Sequence, residues 1–221
     1  MEIKTYLALG DSYTIGEQVH IADSFPYQTV QLLRRSYIKN DHDQTAVGVS
    51  DRQQGHDYSI SSPEIIAKTG WTTDELTAAI GQTIFLPKYD MVSLLIGVNN
   101  QYRGRTVDNF EGEFKVLLQM SIQFAGGIAD NVYVLSIPDW GVTPFAKDRD
   151  AKTIASEIDA FNIVCEKNAA AFKTHFINIT DDQRKDNHDA QFLATDGLHP
   201  SGLEYKKWAI KLSQLILDKL S

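Results

Sequence analysis

Short runs of β-prone residues alternate along the chain with longer segments of helical periodicity. Runs of four to six such residues are typical of parallel strands that are buried on both faces of a sheet. Five runs fit this description: Tyr6–Leu9, Glu64–Lys68, Met91–Ile96, Val132–Ile137 and Phe176–Ile179.

Between these runs, apolar residues recur three or four positions apart, as on the buried face of an amphipathic helix. Thr72 with Glu75, and Ser201 with Glu204, have the spacing of a capping box and mark two helix starts. Alternating strands and helices predict an α/β fold, in which right-handed crossovers build a doubly wound, five-stranded parallel sheet with helices on both faces. No repeat or linker interrupts the pattern, so residues 1–221 are expected to form a single domain.

Two polar stretches stand outside this alternation. Residues 39–59 are rich in Asp, Gln and Gly and are longer than an ordinary connection. They predict a surface insertion, which is either a mobile flap or a solvated excursion without function. Asp181–Asp189 is predicted to be a charged loop.

The composition limits the classes of partner. The chain has 221 residues, 43% of them hydrophobic, which is enough to bury one full core. Its formal net charge of −8, without a basic stripe, argues against a nucleic-acid partner. No apolar run approaches the roughly 20 residues of a membrane span, so no integral membrane segment is expected. Cys165 is the single cysteine, which rules out an internal disulfide.

The start of the chain bears on its location. Met1–Thr5 lead directly into the first predicted strand without an apolar leader or cleavage site, so a cytoplasmic location is expected. A signal peptide removed before this sequence begins would alter that expectation. Nothing in the pattern predicts an oligomeric state.

Candidate reactive residues occur directly after the predicted strands. Ser12 follows the first strand, Gly70 the second and Asn99 the third. Asp196 and His199 lie between the fifth strand and the last helix. In an open parallel sheet, the loops after the strands meet in a crevice at the carboxyl edge. These loops are therefore expected to share one site.

The residue types in these loops suit acyl transfer. A serine hydroxyl is a poor nucleophile near neutral pH and needs an adjacent base, for which imidazole is suited. The base needs an acceptor on its other ring nitrogen, and Asp196 is three residues from His199. The backbone N–H groups of Ser12 and Gly70 and the Asn99 amide are suited to hold an oxyanion. We predict Ser12 as nucleophile, His199 as base and Asp196 as orienting acid.

Each signal has an alternative explanation when it is taken alone. Gly70 and Asn99 are common turn residues, and Asn also caps helices. Asp196 and His199 could cap the last helix or form half of a metal site. No second histidine has ligand spacing, however, and we expect no metal or other cofactor. Asp11 at a strand end could accept phosphate in a binding or signalling module, which would leave the Asp196–His199 pair unexplained.

The motifs Gly10-Asp11-Ser12, Gly70, Gly97-x-Asn99 and Asp196-x-x-His199 occur in this order along the whole chain. Together they resemble the four blocks of the SGNH, or GDSL, hydrolases. The resemblance implies a flavodoxin-like, three-layer α/β/α sheet and esterase chemistry. It also implies the roles predicted above for the nucleophile, base, acid and oxyanion donors.

The expected function is hydrolysis of small, soluble carboxylic esters by a serine esterase. Within the same family, the alternatives are a lysophospholipase, a thioesterase, a carbohydrate acetylesterase or an acyltransferase. An alternative of another class is a catalytically silent, flavodoxin-like binding module. Asn100 stands where the family often has Asp, which leaves the subfamily open. Aromatic residues in the surrounding loops are expected either to line a substrate pocket or to fill space beneath the loops: Tyr13, Trp71, Tyr102, Trp140 and Phe145.

Overall fold

The computed structural model describes residues 2–42, 58–186 and 189–220. The strands are β1 (Glu2–Lys4), β2 (Tyr6–Gly10), β3 (Tyr58–Ile60), β4 (Glu64–Ala67), β5 (Met91–Leu95), β6 (Val132–Leu135) and β7 (His175–Ile177). The helices are α1 (Ser12–Ile15), α2 (Phe25–His42), α3 (Thr73–Ile80), α4 (Val98–Tyr102), α5 (Val107–Phe124), α6 (Ala151–Phe172), α7 (Thr180–Asp186) and α8 (Gly202–Leu220).

Five strands form a parallel sheet in the order β4-β2-β5-β6-β7, which confirms the predicted sheet. All residues of β2, β5 and β6 are buried, and this explains why these strands lack an alternating polar face. The first strand of the sheet lies between the second and the third, as in flavodoxin-like folds. The strand order therefore reverses between β2 and β5, where a crevice opens at the carboxyl ends of the strands.

Helices flank this sheet in two groups. α2 packs against α8, where the ring centroids of Phe25 and Trp208 are 6.1 Å apart. α5 packs against α3 and α6, and the ring centroids of Phe110 and Phe161 are 4.6 Å apart. All four aromatic side chains are buried. The protein thus has the expected three-layer α/β/α architecture.

The predicted polar stretches differ in part from the structure. Residues 39–42 continue α2, and Tyr58–Ile60 form β3, which pairs in parallel with β1 in a separate two-stranded sheet. The rest of the predicted insertion at 39–59 lies outside the described residues. The charged loop predicted for Asp181–Asp189 is wrong over residues 181–186, because these belong to α7. Acidic residues in the first turn of α7 and basic residues in its last turn interact favourably with the helix dipole and so stabilise the helix.

Of the two predicted capping boxes, only the first forms. The Glu75 carboxylate accepts a hydrogen bond from Thr72 N at 2.9 Å at the start of α3. At the start of α8, the Ser201 N–H donates to a backbone carbonyl instead. The Glu204 carboxylate accepts a hydrogen bond from Trp208 Nε1 at 3.0 Å, so it binds a buried indole instead of capping the start of the helix.

Gly97 joins β5 to α4 in a conformation and a space that exclude a side chain. Its φ is +131°, and a Cβ there would lie 2.6 Å from Ile137 Cδ1 and 2.7 Å from Phe110 Cε2. We expect Gly97→Ala to lower the free energy of unfolding by more than about 2 kcal/mol, because backbone strain adds to overpacking. Gly104→Ala is the matched control, since Gly104 also has positive φ but no atom lies within 4 Å of its Cβ position. Urea unfolding measures both losses, and equal losses would contradict the steric argument.

Candidate active site

Ser12 lies at the sharp turn between β2 and the single-turn helix α1. The side chain of Asp11 caps α1, and its Oδ1 accepts a hydrogen bond from Tyr13 N at 3.0 Å. Ser12 is the first residue of the helix and is buried except for 5% of its surface. No described residue accepts a hydrogen bond from the Ser12 N–H, as is common in the first turn of a helix.

Asp196 and His199 belong to a tight loop that leads into α8. The Ala194 N–H closes this loop by donating to the His199 carbonyl at 2.8 Å. Asp196 Oδ1 accepts hydrogen bonds from the N–H groups of Leu198 and His199, each at 3.0 Å. Its Oδ2 lies 2.6 Å from His199 Nδ1. One carboxylate thus orients both the loop backbone and the imidazole ring.

The imidazole of His199 connects the two ends of the chain. Its Nε2 lies 3.0 Å from Ser12 Oγ. Because an ionised carboxylate only accepts hydrogen bonds, Nδ1 carries the proton toward Asp196 and Nε2 accepts from the Ser12 hydroxyl. The Tyr13 ring packs beside the imidazole, with ring centroids 5.5 Å apart.

The charge state of Asp196 supports this arrangement. Burial favours the neutral acid, but hydrogen bonds from the His199 side chain and from two backbone N–H groups outweigh it, so the pKa of Asp196 is lowered. The carboxylate is therefore ionised at neutral pH. In that state it stabilises a protonated imidazole beside it.

Gly70 is the third residue of a turn at the end of β4. The Trp71 N–H closes the turn by donating to the Lys68 carbonyl at 3.2 Å, and the φ of Gly70 is +83°. A type II turn requires positive φ at this position, which favours glycine. Gly70 lines the same cavity as Ser12, and no described residue accepts a hydrogen bond from its N–H.

Asn99, in α4, lines this cavity from the side of β5. Its side-chain Nδ2 donates one hydrogen bond, to the Trp71 carbonyl at 2.9 Å. An amide nitrogen has two N–H donors, so a second one is available to a ligand. The three predicted oxyanion donors, from Ser12, Gly70 and Asn99, therefore surround one cavity.

Asn100 is buried and faces Thr73 rather than the cavity. Its Oδ1 accepts from Thr73 N at 3.1 Å, and its Nδ2 donates to Thr73 Oγ1 at 2.6 Å. The Thr73 hydroxyl in turn donates to the Glu113 carboxylate. An ionised aspartate at position 100 has no N–H to donate to Thr73 Oγ1. It could only accept the hydroxyl proton of Thr73, and Glu113 already accepts that proton. The amide therefore suits this position better than the Asp of the motif.

A cavity of about 190 Å³ opens at Ser12. Thr69, Val98 and Leu198 also line it, and sequence reasoning missed them although each directly precedes a predicted site residue. Trp71 does not line it: its half-buried side chain packs against the core, and its carbonyl accepts a hydrogen bond from Asn99. The other four aromatic residues that were expected around the site do line the cavity: Tyr13, Tyr102, Trp140 and Phe145.

Two alternative explanations of the site residues, a metal site and a phosphoacceptor at Asp11, can be compared with the described part of the structure. It contains no group of three or more His, Cys, Asp or Glu side chains that could hold a metal ion. Asp11 is 1% exposed and its carboxylate caps α1, so it is not presented to a phosphate donor. Among the described helices, none combines the length and apolar character needed to cross a membrane.

The sequence matches the model of the GDSL-like lipase/acylhydrolase family over residues 8–207. This match covers most of the chain and includes every loop that contributes to the cavity. The protein therefore belongs to the GDSL-like lipase/acylhydrolase family. No curated protein matches the sequence significantly.

Solved structures with a similar fold have low sequence identity to this chain. A lipase/acylhydrolase from Enterococcus faecalis has a TM-score of 0.65 and 19% identity, covering 99% of this chain and 97% of that one. The acetylxylan esterase Axe2 from Geobacillus stearothermophilus has a TM-score of 0.67 and 18% identity, covering 98% of this chain and 96% of that one. The psychrotrophic esterase EstA from Pseudoalteromonas sp. has a TM-score of 0.63 and 15% identity, covering 98% of both chains. At these identities the likeness shows a shared fold alone.

The buried Asp11 carboxyl should make the stability of the fold depend on pH. Burial raises the pKa of Asp11 to about 7, whereas an unfolded aspartate has a pKa of about 3.9. The folded state binds this proton more tightly, so the group lowers stability as pH rises from about 4 to about 7. We expect Asp11→Asn, which keeps a capping side chain, to stabilise the protein more at pH 7.5 than at pH 5.

Asp150→Asn is the matched control for this prediction. Asp150 caps α6, and hydrogen bonds from the Thr153 side chain and from two backbone N–H groups lower the pKa of its carboxyl. Its stabilising contribution is therefore fully present above the unfolded pKa of about 3.9 and is lost only on acidification below it, so the effect of Asp150→Asn should be the same at pH 5 and at pH 7.5. Urea midpoints at both pH values measure the effects. A stability gain in Asp11→Asn that does not change with pH would contradict the prediction.

Proposed function

We propose that this protein is a serine esterase that hydrolyses small carboxylic esters through Ser12, His199 and Asp196. The observation that carries the proposal is the chain of contacts from Ser12 Oγ to His199 Nε2 at 3.0 Å and from His199 Nδ1 to Asp196 Oδ2 at 2.6 Å. These contacts join a nucleophile, a base and an orienting acid. Membership of the GDSL-like lipase/acylhydrolase family supports the same chemistry.

In the first half of the reaction, His199 Nε2 takes the Ser12 proton as Oγ attacks the ester carbonyl carbon. The oxyanion accepts hydrogen bonds from the N–H groups of Ser12 and Gly70 and from Asn99 Nδ2. Asp196 stabilises the imidazolium that results. The imidazolium gives its proton to the leaving alcohol, and the acyl group stays on Ser12.

In the second half, His199 takes a proton from water as the water oxygen attacks the acyl carbon. The same donors hold the second oxyanion. Collapse of this intermediate returns the proton to Ser12 Oγ and releases the carboxylic acid. Every proton is carried by one imidazole, so the proposed reaction uses no metal or organic cofactor.

The cavity favours short acyl groups. Its volume of about 190 Å³ is smaller than the roughly 300–1,000 Å³ that is typical of pockets for drug-sized ligands. Val98 and Leu198 contribute apolar lining next to the polar groups of the site. A long acyl chain would have to leave the cavity past its rim, where Tyr102 and Phe145 are about half exposed. This supports small esters over lysophospholipids.

Ser12→Ala should abolish both labelling by a fluorophosphonate probe and hydrolysis of p-nitrophenyl acetate, because Oγ forms the covalent bond. Asn99→Ala should keep the nucleophile but lower kcat about 100- to 1,000-fold, the usual effect of removing one oxyanion donor. Ser156→Ala is the control, since Ser156 is an exposed serine that does not line the cavity. Steady-state kinetics and mass spectrometry of the labelled peptide measure these effects.

Two outcomes would contradict the esterase proposal. Labelling that persists in Ser12→Ala would place the nucleophile elsewhere. A folded parent protein that is neither labelled nor active would favour the catalytically silent binding module.

A groove beside the cavity, with both aromatic and polar side chains in its walls, favours a second, narrower candidate, namely an esterase that removes acetyl groups from carbohydrates. The groove has a volume of about 390 Å³, and Tyr102 and Trp140 line both it and the cavity. Arg149, Thr153 and Glu157 contribute hydrogen-bonding groups to its walls. The Tyr102 ring is 49% exposed, and an amphipathic aromatic surface suits the apolar face of a sugar. The similar fold of the acetylxylan esterase Axe2 supports this candidate.

A chain of hydrogen bonds holds the floor of this groove. Trp140 Nε1 donates to Gln101 Oε1 at 2.7 Å, and Gln101 Nε2 donates to Glu157 Oε2 at 2.6 Å. The Tyr102 ring meets Trp140 edge-on, with centroids 5.3 Å apart. The indole is thereby held on two sides, and the exposed ring above it has a defined orientation.

Tyr102→Ala should raise the KM for an acetylated xyloside about 3- to 10-fold more than the KM for p-nitrophenyl acetate, since only the sugar reaches the groove. Phe145→Ala is the matched control, because Phe145 is equally exposed but lines the cavity and not the groove. Parallel kinetics with both substrates measure the difference. Equal changes in KM for the two substrates in Tyr102→Ala would exclude the groove as a sugar-binding site.

A further inference from the structure

The loops that carry Gly70 and Asn99 are joined by side-chain hydrogen bonds from both ends of α4. Arg103 follows the last residue of α4, and its Nη2 donates to the Gly70 carbonyl at 2.6 Å. Asn99, at the start of the same helix, donates to the Trp71 carbonyl at 2.9 Å. Two successive carbonyl groups of the turn are therefore held by one short helix.

The guanidinium of Arg103 is itself held in position. Its Nη1 lies 3.2 Å from Glu75 Oε2, and that carboxylate also accepts from Thr72 N at 2.9 Å. The Arg103 N–H donates to the Asn99 carbonyl at 3.1 Å. A guanidinium has five N–H donors fixed in one plane, which suits it to bridge a carbonyl and a carboxylate at once.

The backbone conformation of Gly70 depends on such hydrogen bonds, because few side-chain atoms pack against this residue. Apart from its two neighbours in the chain, the described residues place one atom within 4 Å of the position that a Gly70 Cβ would take, namely Arg103 Nη2 at 3.6 Å. A glycine also has more backbone freedom than any other residue. The orientation of the Gly70 peptide groups is thus set by hydrogen bonds rather than by side-chain packing.

We propose that Arg103 is a positioning residue: its hydrogen bond to the Gly70 carbonyl keeps the Gly70 N–H and the Asn99 amide at the separation that the oxyanion requires. This inference rests on the function proposed above, in which both groups bind the oxyanion. Displacement by about 1 Å can cost on the order of 100-fold in rate. Arg103 does not line the cavity, so its loss should lower kcat rather than substrate affinity.

Comparison with Arg105 distinguishes the proposed positioning role of Arg103 from the contribution of a surface ion pair. The Arg103–Glu75 pair is 44% and 40% exposed, so solvent screens it and it contributes little to stability. Arg105 forms a comparable pair with Asp74 of the same helix α3, at 2.6 Å. Only Arg103 also reaches the carbonyl of Gly70.

The test compares Arg103→Ala with Arg105→Ala in the hydrolysis of p-nitrophenyl acetate and of its thionoester. We expect Arg103→Ala to lower the kcat for the ester about 10- to 100-fold and to change KM less than about threefold. Sulfur accepts hydrogen bonds weakly, so the thionoester rate should fall much less. Arg105→Ala should leave both rates close to those of the parent. Equal kcat losses in the two variants, or equal losses for the two substrates, would overturn the proposal.

The Gly70 amide provides a readout that does not depend on activity. In isotopically labelled protein, Arg103→Ala should shift the Gly70 and Trp71 amide resonances, whereas Arg105→Ala should not. An active parent whose kcat and Gly70 resonance are unchanged by Arg103→Ala would overturn this inference alone. A parent without Ser12-dependent hydrolysis would overturn the proposed function and this inference with it.

Discussion

The position of β2 between β4 and β5 is the constraint on which the rest of the site depends. All strands of the main sheet are parallel, so the loops after these three strands end at one edge. Ser12, Gly70 and Asn99 meet there although they are far apart in sequence. His199 reaches the same edge because α8, which follows it, packs against α2. One strand order thus determines which loops can form a common cavity.

Three side chains that line the cavity are also held by hydrogen bonds to groups that do not line it. Asp196 holds the imidazole, and Asn99 is tied to the Trp71 carbonyl. Trp140 is held through Gln101, whose amide bonds to both the indole and a carboxylate. Such outer hydrogen bonds keep reactive groups oriented before a substrate binds, which lowers the reorganisation needed in the transition state.

The same region carries a feature that reduces stability near neutral pH. Asp11 buries a carboxyl whose pKa is raised to about 7. It directly precedes Ser12, a predicted site residue. Burial of an ionisable group costs free energy and persists where the surrounding core compensates for it. The fully buried β2 and β5 on either side of the crevice provide that compensation.

The sequence by itself determined the five strands, their alternation with helices and the loops that carry reactive residues, because apolar runs and turn residues are local properties. It misjudged residues 181–186, which it assigned to a charged loop and which belong to α7, where acidic residues in the first turn and basic residues in the last turn interact favourably with the helix dipole. Only the tertiary structure decided which groups touch. It turned Trp71 toward the core, set Asn100 against Thr73 and brought His199 within 3.0 Å of Ser12. Side-chain direction and distance depend on long-range packing, which no local pattern contains.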